Sequence, residues 1–576
     1  MAAAVILIVA YILRPIFPLP QVTGVTQLTH DDAVKLFGLG PPPSPLLTDG
    51  SRIYFVEEPT NHRLMQVSTE GGEVIPAEIS IPFYGLLDIS PTRLELLFKG
   101  PPKAVVTVVT RGQNEGLWAL PVPGGQPRRI GNMLVNDATF TPDGNAIFYS
   151  VGHDIFKAND DGSQPRKILS IAAGLPFWLR ISPDGSFLRF SVYNWTLRAS
   201  SLWEAHADGS HLRQLLLGWE NPANECCGNW TSDGKYFIFQ ATRYGLTHLW
   251  ATRERGDWWR KVNHAPVQLT MGEMNSQSPL PNKNGTKVFF IGSTRKDEII
   301  RYEPSTHSFL PYLSGLSAEG LTFTADGKKM AYVSYSEGVL WESNTDGSGR
   351  HELSFPPMEV GLPRWSPDGT KIAFSGREPG GTWQIFVVSA EGGDLRQVTS
   401  GPVGNSDGSW SPDGNLIAFA ETFANSTISA RNPLHILNLE THQVTDVPGS
   451  VGLFSPRWSP DGRYLVAITD DFQKLMLYDF AAHKWEVLAN VGAAYPNWSH
   501  DGKCVYFNGG DFKTLPIYRV CLVDRKLEHI VDLSSVAGRL AFGRFGWWTG
   551  LGPNNSILAA RDIGTQEIYA LDTKFP

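Results

Sequence analysis

The sequence is poor in cysteine and in charged residues. It has 4 cysteines among 576 residues, and 18% of its side chains are charged. No cysteine or histidine spacing matches a zinc or iron–sulfur site, and no His-Glu-x-x-His metalloprotease motif is present. The net charge is −8 without any basic run, which argues against nucleic-acid binding by this chain. We therefore assign no metal ligand, no cofactor and no catalytic residue.

Glycine and proline are abundant instead, with 57 and 41 residues, as in turn-rich all-β proteins. Many of them belong to the pentad Trp-Ser-Pro-Asp-Gly, which recurs roughly every 40 to 50 residues, a period typical of repeat proteins. Three copies are complete and five are degenerate: 365–369, 410–414 and 458–462, then 140–144, 181–185, 230–234, 323–327 and 498–502.

Each pentad is predicted to join two strands through a tight turn. Proline presets φ at the second turn position, aspartate bonds back to the backbone, and glycine accepts a positive φ. A strand-like run such as Lys371–Phe374 follows, and a second hairpin is predicted around Gly392-Gly393. Four antiparallel strands per repeat make one propeller blade, with the pentad aromatics packing between neighbouring blades.

Further degenerate repeats at residues 48–56, 89–98, 282–291 and 553–559 bring the total to about twelve. One ring usually holds four to eight blades, so the sequence predicts an all-β protein with tandem β-propellers. The predicted division is an apolar segment over residues 1–20, a first propeller over 21–310 and a second over 311–576. Six blades in each ring, with a seam near 305–320, is one solution, and an unequal split is the other.

The last repeat ends near Leu571 and lacks an outermost strand. Residues 25–29 near the start resemble the outermost strands of other repeats. We therefore predict that an N-terminal strand completes a C-terminal blade, which hides an exposed edge and ties the two ends of the chain together.

Residues Ala2–Leu13 are uninterruptedly apolar, and a proline-rich stretch follows. Twelve residues are short for a spanning helix, so residues 2–19 are interpreted as one span or as a signal anchor. Either interpretation places the propellers outside the cytoplasm, in the periplasm. For Cys504 and Cys521, predicted on one blade, free buried thiols are favoured over a disulfide. The adjacent Cys226 and Cys227 are not expected to pair, because vicinal disulfides are rare.

The sequence offers little catalytic chemistry. Gly404-Asn405-Ser406-Asp407-Gly408 fits Gly-x-Ser-x-Gly, but a nucleophile elbow needs a strand before it and a helix after it. Another blade begins directly afterwards, so the match is interpreted as a loop. Three connections rich in aromatics and arginine, at residues 194–198, 253–260 and 542–548, are candidate recognition loops or simple blade caps.

The pentads and the strands after them, clearest at residues 365–374, 410–419 and 458–468, resemble the TolB-type, WD40-like β-propeller repeat family. The resemblance covers roughly residues 25–576. It implies a propeller fold and a role as a periplasmic protein-binding platform, as the outer part of a membrane-anchored regulator, or as a gating domain of a serine peptidase. No hydrolase or cytoplasmic effector domain accompanies the repeats in this sequence.

The leading hypothesis is a non-enzymatic, membrane-anchored platform that binds a protein, peptide or envelope ligand and acts as a sensor. The alternative is a lyase or hydrolase with its site in a propeller channel, which needs paired carboxylates such as Asp470 and Asp471 or Glu378. A purely structural scaffold is a third possibility. The expected partner is a protein or peptide, with membrane contact through residues 2–19. The sequence does not indicate an oligomeric state.

Overall fold

The computed structural model describes most of the chain as strands and short turns. The described residues are 17–31, 33–35, 44–57, 63–101, 115–194, 199–219, 223–243, 245–255, 263–294, 296–313, 315–335, 337–379, 381–421, 432–511, 514–536, 540–543 and 545–576. Their strands form twelve four-stranded antiparallel sheets and one two-stranded hairpin. The prediction of tandem propellers built from about twelve four-stranded blades is confirmed.

The chain folds into two compact units. Unit 1 comprises Met1–Thr294 and Thr565–Pro576, and unit 2 comprises Arg295–Gly564. Each unit holds six of the four-stranded sheets, which we number as blades 1–6 in unit 1 and blades 7–12 in unit 2.

The strands in each blade of unit 1 follow one another from the inner to the outer edge. Blade 1 has Leu47–Thr48, Arg52–Glu57, Arg63–Ser68 and Ile75–Pro76; blade 2 has Gly85–Ile89, Glu95–Gly100, Glu115–Pro121 and Arg128–Val135; blade 3 has Asp137–Phe140, Ala146–Val151, Asp154–Asn159 and Arg166–Ser170; blade 4 has Leu175–Ile181, Phe187–Asn194, Ala199–His206 and Arg213–Gln214; blade 5 has Glu225–Trp230, Tyr236–Arg243, Leu246–Arg253 and Val267–Gln268; blade 6 has Asn275–Pro281, Lys287–Ser293, Gln566–Lys574 and Gln21–Gln27.

The blades of unit 2 have the same order of strands. Blade 7 has Ala318–Phe323, Lys329–Ser334, Leu340–Asn344 and His351–Glu352; blade 8 has Glu359–Trp365, Lys371–Arg377, Gln384–Ser389 and Arg396–Gln397; blade 9 has Asn405–Trp410, Leu416–Glu421, His435–Asn438 and Val444–Asp446; blade 10 has Leu453–Trp458, Tyr464–Thr469, Leu475–Asp479 and Lys484–Ala489; blade 11 has Ala494–Trp498, Cys504–Asn508, Pro516–Cys521 and Leu527–Asp532; blade 12 has Thr549–Leu551, Ile557–Asp562, Asp297–Glu303 and Ser308–Leu313. A 3₁₀ turn, Leu533–Val536, and a hairpin of Phe542–Gly543 with Gly546–Trp547 lie between blades 11 and 12.

Unit 2 is inserted into blade 6. The chain leaves unit 1 after the second strand of blade 6 and returns with the third, Gln566–Lys574. Between these points it lays down the two outer strands of blade 12, then blades 7–11, then the two inner strands of blade 12. The sequence-based division at residue 310 differs from this arrangement, because Asp297–Glu303 pairs with Ile557–Asp562 rather than with a strand of unit 1.

The N-terminal strand closes unit 1, as predicted. Gln21–Gln27 pairs antiparallel with Gln566–Lys574, with Gln27 opposite Tyr569. Behind this strand, the buried ammonium of Lys35 lies 3.4 Å from Glu567 of blade 6 and 3.9 Å from Glu57 of blade 1. Burial and the Asp31 charge raise the pKa of Glu57 to about 7. Lys35 therefore forms ion pairs with both the first and the last blade of this ring.

The pentad turns have the conformation that their residues predict. In the copy at 366–369, Asp368 Oδ1 accepts hydrogen bonds from the Ser366 hydroxyl at 2.6 Å and from the Thr370 amide at 3.1 Å. Gly369 has a φ of +69°, which favours glycine. The tryptophans pack between blades as expected. Trp410 Nε1 donates to the Arg364 carbonyl of the preceding blade at 3.1 Å, and Trp498 Nε1 to the Arg457 carbonyl at 3.0 Å.

Both cysteine expectations are wrong. Cys504 and Cys521 face each other across two strands of blade 11, with Cα atoms 3.9 Å apart, and form a disulfide. Cys226 and Cys227 also form a disulfide, at a bulge of the inner strand of blade 5 where Cys227 has a φ of +62°. Direct cross-strand opposition in one case and the bulged backbone in the other bring the sulfur atoms together.

The predicted membrane segment lies largely outside the described residues, which begin at Phe17. The Phe17 ring is buried in unit 1, with the Arg253 guanidinium 3.4 Å from its centroid. Among the described residues, no helix combines the length and the apolar character needed to cross a membrane.

Candidate functional site

The inner strands of unit 2 form a closed ring around its axis. Each inner strand from blade 7 to blade 12 contacts the next, and that of blade 12 contacts that of blade 7. Five of these strands carry a bulge at the same place, marked by a residue with a positive φ: Gly320, Leu362, Asp407, Ser455 and Tyr495. A bulge re-aims side chains locally, and here it brings polar groups of separate blades together.

Asp407 and Arg457 form the centre of this polar cluster. Arg457 Nη2 lies 2.9 Å from Asp407 Oδ1 and 3.1 Å from Oδ2. The Ser455 hydroxyl also donates to Asp407 Oδ2, at 2.6 Å. Burial alone would raise the pKa of Asp407, but the Arg457 and Arg364 guanidinium groups and the Ser455 bond hold it below the usual range. Asp407 is therefore a fixed anion rather than a proton donor.

Arg364 of blade 8 adds a second guanidinium to the cluster. Among the described residues, its one hydrogen bond joins Nη1 to the Pro363 carbonyl at 3.2 Å. Burial, together with the nearby Arg457 charge, lowers the pKa of Arg364 to about 9. The group remains a cation at neutral pH, although it lacks a carboxylate of its own within ion-pair distance in the described part of the chain.

Tyr495 of blade 11 connects the cluster to the hairpin Phe542–Trp547. Its hydroxyl donates to the Phe545 carbonyl at 2.5 Å. Burial raises the pKa of Tyr495, and the Glu319 and Asp407 charges raise it further. This phenol therefore stays neutral and acts as a hydrogen-bond donor throughout the physiological pH range.

The hairpin Phe542–Trp547 packs against inner strands of the unit 2 ring, and we call it the channel hairpin. The Phe545 ring lies 5.1 Å from the Trp383 ring of blade 8 and fills the space beside Gly361, where a Cβ would overlap it. The Glu319 carboxylate of blade 7 occupies the place that a Cβ on Gly543 would take. The hairpin thus contacts blades 7, 8 and 11.

Unit 1 has bulged inner strands too, and polar groups of neighbouring blades also bond to one another there. Arg180 Nε donates to Asn229 Oδ1 at 2.6 Å, and Asp137 accepts the Leu179 amide at 2.7 Å. Burial raises the pKa of Asp137 to about 6. The Cys226–Cys227 disulfide lies beside Trp178 in this ring.

The candidate catalytic residues suggested by the sequence lie in separate parts of unit 2. Residues 405–408 of the Gly-x-Ser-x-Gly match lie in the inner strand of blade 9, Asn405–Trp410, and not in a loop, because this strand pairs with Leu416–Glu421. Asp471 is exposed and accepts bonds from Thr469 and Gln473 in a hairpin turn. Glu378 is exposed in the connection after Lys371–Arg377. These acids do not form a pair in the unit 2 ring.

Of the three candidate recognition loops, the one at residues 542–548 is described except for residue 544, and it supplies the channel hairpin. Residues 195–198 and 256–260 lie outside the described residues. The sequence interpretation missed Arg364, Asp407, Arg457 and Tyr495. A signal did exist, because Arg364 and Arg457 stand one position, and Asp407 and Tyr495 three positions, before a pentad tryptophan. All four lie on the inner strands of their blades.

Residues 316–427 match the family described as the TolB beta propeller domain. The repeats in this segment are of the TolB β-propeller type. The Tol-Pal system protein TolB of Syntrophus aciditrophicus (strain SB) is 31% identical over 106 residues, which are 18% of this chain and 23% of that protein. The uncharacterized peptidase YuxL of Bacillus subtilis (strain 168) is 32% identical over 93 residues, 15% of this chain and 14% of that protein. The matches therefore span less than a quarter of either curated relative.

Two solved structures have similar but distant folds. A putative TolB from Agrobacterium tumefaciens has a TM-score of 0.37 and 18% identity, over 47% of this chain and 99% of that one. The tricorn protease has a TM-score of 0.32 and 14% identity, over 84% of this chain and 49% of that one.

Proposed function

We propose that this TolB-type chain is a non-enzymatic, membrane-anchored platform that binds a protein or peptide ligand of the cell envelope and acts as a sensor for it. The observation that carries the proposal is the unit 2 ring, where Arg364, Asp407, Arg457 and Tyr495 form a polar cluster that contacts the channel hairpin. Preorganised polar groups beside an aromatic hairpin suit recognition.

Two features support a position outside the cytoplasm. The Cys226–Cys227 and Cys504–Cys521 disulfides are of the kind that persists in oxidising compartments such as the periplasm. The apolar run at residues 2–13 supports a membrane anchor. The relative named for the Tol-Pal system has a role in a multi-protein system, which agrees with a protein partner.

The alternative of a lyase or hydrolase in a propeller channel draws support from the relative named as a peptidase. The chemistry of the unit 2 ring favours binding instead. Asp407 is held as an anion by Arg457, so it is a poor general acid. Asp297 has its pKa raised to about 8, chiefly by burial, but its side chain has almost no exposed surface through which a substrate could be reached.

Site-specific photocrosslinking in the native envelope tests the platform. Phe545 is replaced by p-benzoylphenylalanine in the full-length chain, and Val523, which is 89% exposed on blade 11, receives the same substitution as a control. We expect one protein adduct from position 545 that position 523 does not give. Equal adducts from both positions, or none from 545, would contradict a platform that binds through the unit 2 ring.

Membrane fractionation tests the location. We expect the full-length chain to sediment with membranes after a carbonate wash. It should be digested by added protease in cells with a permeabilised outer envelope and protected in intact cells. Recovery in the cytosolic fraction would contradict both the anchor and the periplasmic position.

A further inference from the structure

The unit 2 ring holds two guanidinium groups, Arg364 and Arg457, and among the described residues the Asp407 carboxylate forms an ion pair with Arg457 alone. Asp407 is bonded to Ser455 and ion-paired with Arg457. Arg364 donates one hydrogen bond to a backbone carbonyl, and Arg457 Nε has no hydrogen-bond acceptor in the described part of the chain. The Arg457 side chain is only 6% exposed, so bulk solvent scarcely reaches this donor. Buried polar groups normally find partners, and Arg457 Nε lacks one among the described residues, whereas Arg364 is partly exposed.

Both arginines are held at equivalent positions by the repeat itself. Each stands directly before a pentad tryptophan, Trp365 or Trp458, on an inner strand. The tryptophan of the following blade bonds to the carbonyl of each arginine, from Trp410 to Arg364 and from Trp498 to Arg457. The backbone below both guanidinium groups is therefore fixed before any ligand arrives, which reduces the entropic cost of binding.

We propose that Arg364 and Arg457 bind a carboxylate group of the peptide or protein ligand inside the unit 2 ring, an assignment that rests on the proposed function. A carboxylate accepts two parallel N–H bonds from a guanidinium group, and such charge-assisted bonds are the strong ones. It would supply the acceptors that Arg364 and Arg457 Nε lack.

Burial and, to a smaller extent, the Arg457 charge lower the pKa of Arg364, and an anion bound to its guanidinium group would favour the charged form. Asp407 does not pair with both arginines, because its carboxylate lies within ion-pair distance of Arg457 but, among the described residues, not of Arg364. The carboxylate of Glu319 lies at the channel hairpin, against Gly543. An added carboxylate would therefore find its donors on Arg364 and on Arg457 Nε.

The carboxylate can come from an acidic side chain or from a chain terminus, and three peptides separate these sources. Acetyl-Gln-Gln-Gln-amide is neutral, acetyl-Gln-Glu-Gln-amide carries a side-chain carboxylate, and acetyl-Gln-Gln-Gln with a free terminus carries a terminal one. Each is titrated by calorimetry into the full-length chain. We expect at least one charged peptide to bind roughly tenfold more tightly than the neutral one, as for a hydrogen bond to a charged group.

Arg364→Met keeps most of the apolar stem and removes the charge, so it should abolish this preference. Arg463→Met, which removes an exposed arginine paired with Asp479 in the same unit, should retain it. Thermal melts confirm that both variants are folded. The Phe545→Ala chain is titrated in parallel, since the channel hairpin can slow or block entry.

Equal affinity for the three peptides in both the wild-type and Phe545→Ala chains would overturn the inference, as would a preference that survives Arg364→Met. A carboxylate preference without any protein adduct at position 545 would instead retain the site and contradict the platform. An adduct at 545 without a carboxylate preference would retain the platform and contradict the site.

Discussion

The amide of Ile568 donates a hydrogen bond of 2.9 Å to the hydroxyl oxygen of Thr29, so the two ends of unit 1 are joined by a side chain. The same hydroxyl donates to the Glu567 carboxylate. Thr29→Val leaves the amide and the carboxylate without this partner in a buried place. We expect a loss of about 1–3 kcal/mol in the free energy of unfolding of unit 1, measured by urea denaturation. Thr29→Ser retains the hydroxyl and should lose far less; an equal loss in both variants would contradict the explanation.

The pentad tryptophans should differ in their contribution to stability. Trp410 Nε1 bonds to the Arg364 carbonyl, whereas the buried Trp365 Nε1 has no acceptor among the described residues. Loss of the indole hydrogen bond in Trp410→Phe should therefore lower the free energy of unfolding by about 1 kcal/mol. Removal of the unpaired indole N–H in Trp365→Phe should leave the free energy of unfolding unchanged or raise it. Denaturation of the two single variants side by side checks the difference. A larger loss for Trp365→Phe would refute it.

Gly361 is required by the position of the channel hairpin. A methyl group at residue 361 would overlap the Phe545 ring, so Gly361→Ala should displace the hairpin. We expect faster amide hydrogen exchange over residues 540–548, measured by mass spectrometry. In the Phe545→Ala background the added methyl has room, so Gly361→Ala should then change little. An equal effect in both backgrounds would show that the alanine acts elsewhere.

Asp297 should make unit 2 less stable as the pH rises. Burial raises its folded pKa to about 8 from an ordinary value of 3.8. Between these values the folded protein holds a proton that the unfolded chain releases, so this group lowers the free energy of unfolding as the pH increases. Asp297→Asn should remove that slope and stabilise unit 2 more at pH 8 than at pH 5.

Asp471 provides a control of opposite sign. The Thr469 hydroxyl bond lowers its pKa, so its contribution is already present at pH 5 and above and is lost only in more acidic solution. Asp471→Asn should therefore cause a small loss of similar size at pH 5 and pH 8. If Asp297→Asn behaved in the same way, its carboxyl would not be the origin of the pH dependence.

The Cys504–Cys521 disulfide should stabilise unit 2. Its cysteines are 17 positions apart, and closing a loop of that size is worth about 3 kcal/mol in the unfolded chain. We expect the Cys504→Ser/Cys521→Ser chain to unfold at a lower temperature than the wild type under oxidising conditions. In excess reductant the two chains should converge. A difference that persists in reductant would assign the loss to packing instead.

Local sequence patterns were sufficient to predict the blades. The turn at 366–369 and the strand Lys371–Arg377 are encoded within one short stretch, and the same pattern recurs along the chain. The closing strand Gln21–Gln27 was also predictable, because the final repeat lacked an outer strand. Turn chemistry and strand periodicity are short-range properties, so they can be inferred from the sequence alone.

Two features could not be predicted from local sequence patterns: the insertion of unit 2 into the chain of unit 1, and the polar cluster of the unit 2 ring. No local signal shows that Ile557–Asp562 pairs with Asp297–Glu303 rather than within a final unit 1 repeat, since strands of any blade look alike. Asp407 and Arg457 meet only because bulges on separate blades turn toward one axis. The pairing of Cys504 with Cys521 likewise depends on strand register, which cysteine spacing does not determine.

Because unit 2 is inserted along the chain between the second and third strands of blade 6, the two units are completed in a fixed order during synthesis. The third strand of blade 6, Gln566–Lys574, is synthesised only after every strand of unit 2, whereas all the blades of unit 2 come from one continuous segment. Unit 2 can therefore complete its ring while the first five blades of unit 1 wait with an open edge. The open edge of unit 1 therefore stays unpaired while the whole of unit 2 is synthesised. Unpaired strand edges are prone to aggregation, so we expect a chaperone to bind the nascent chain there.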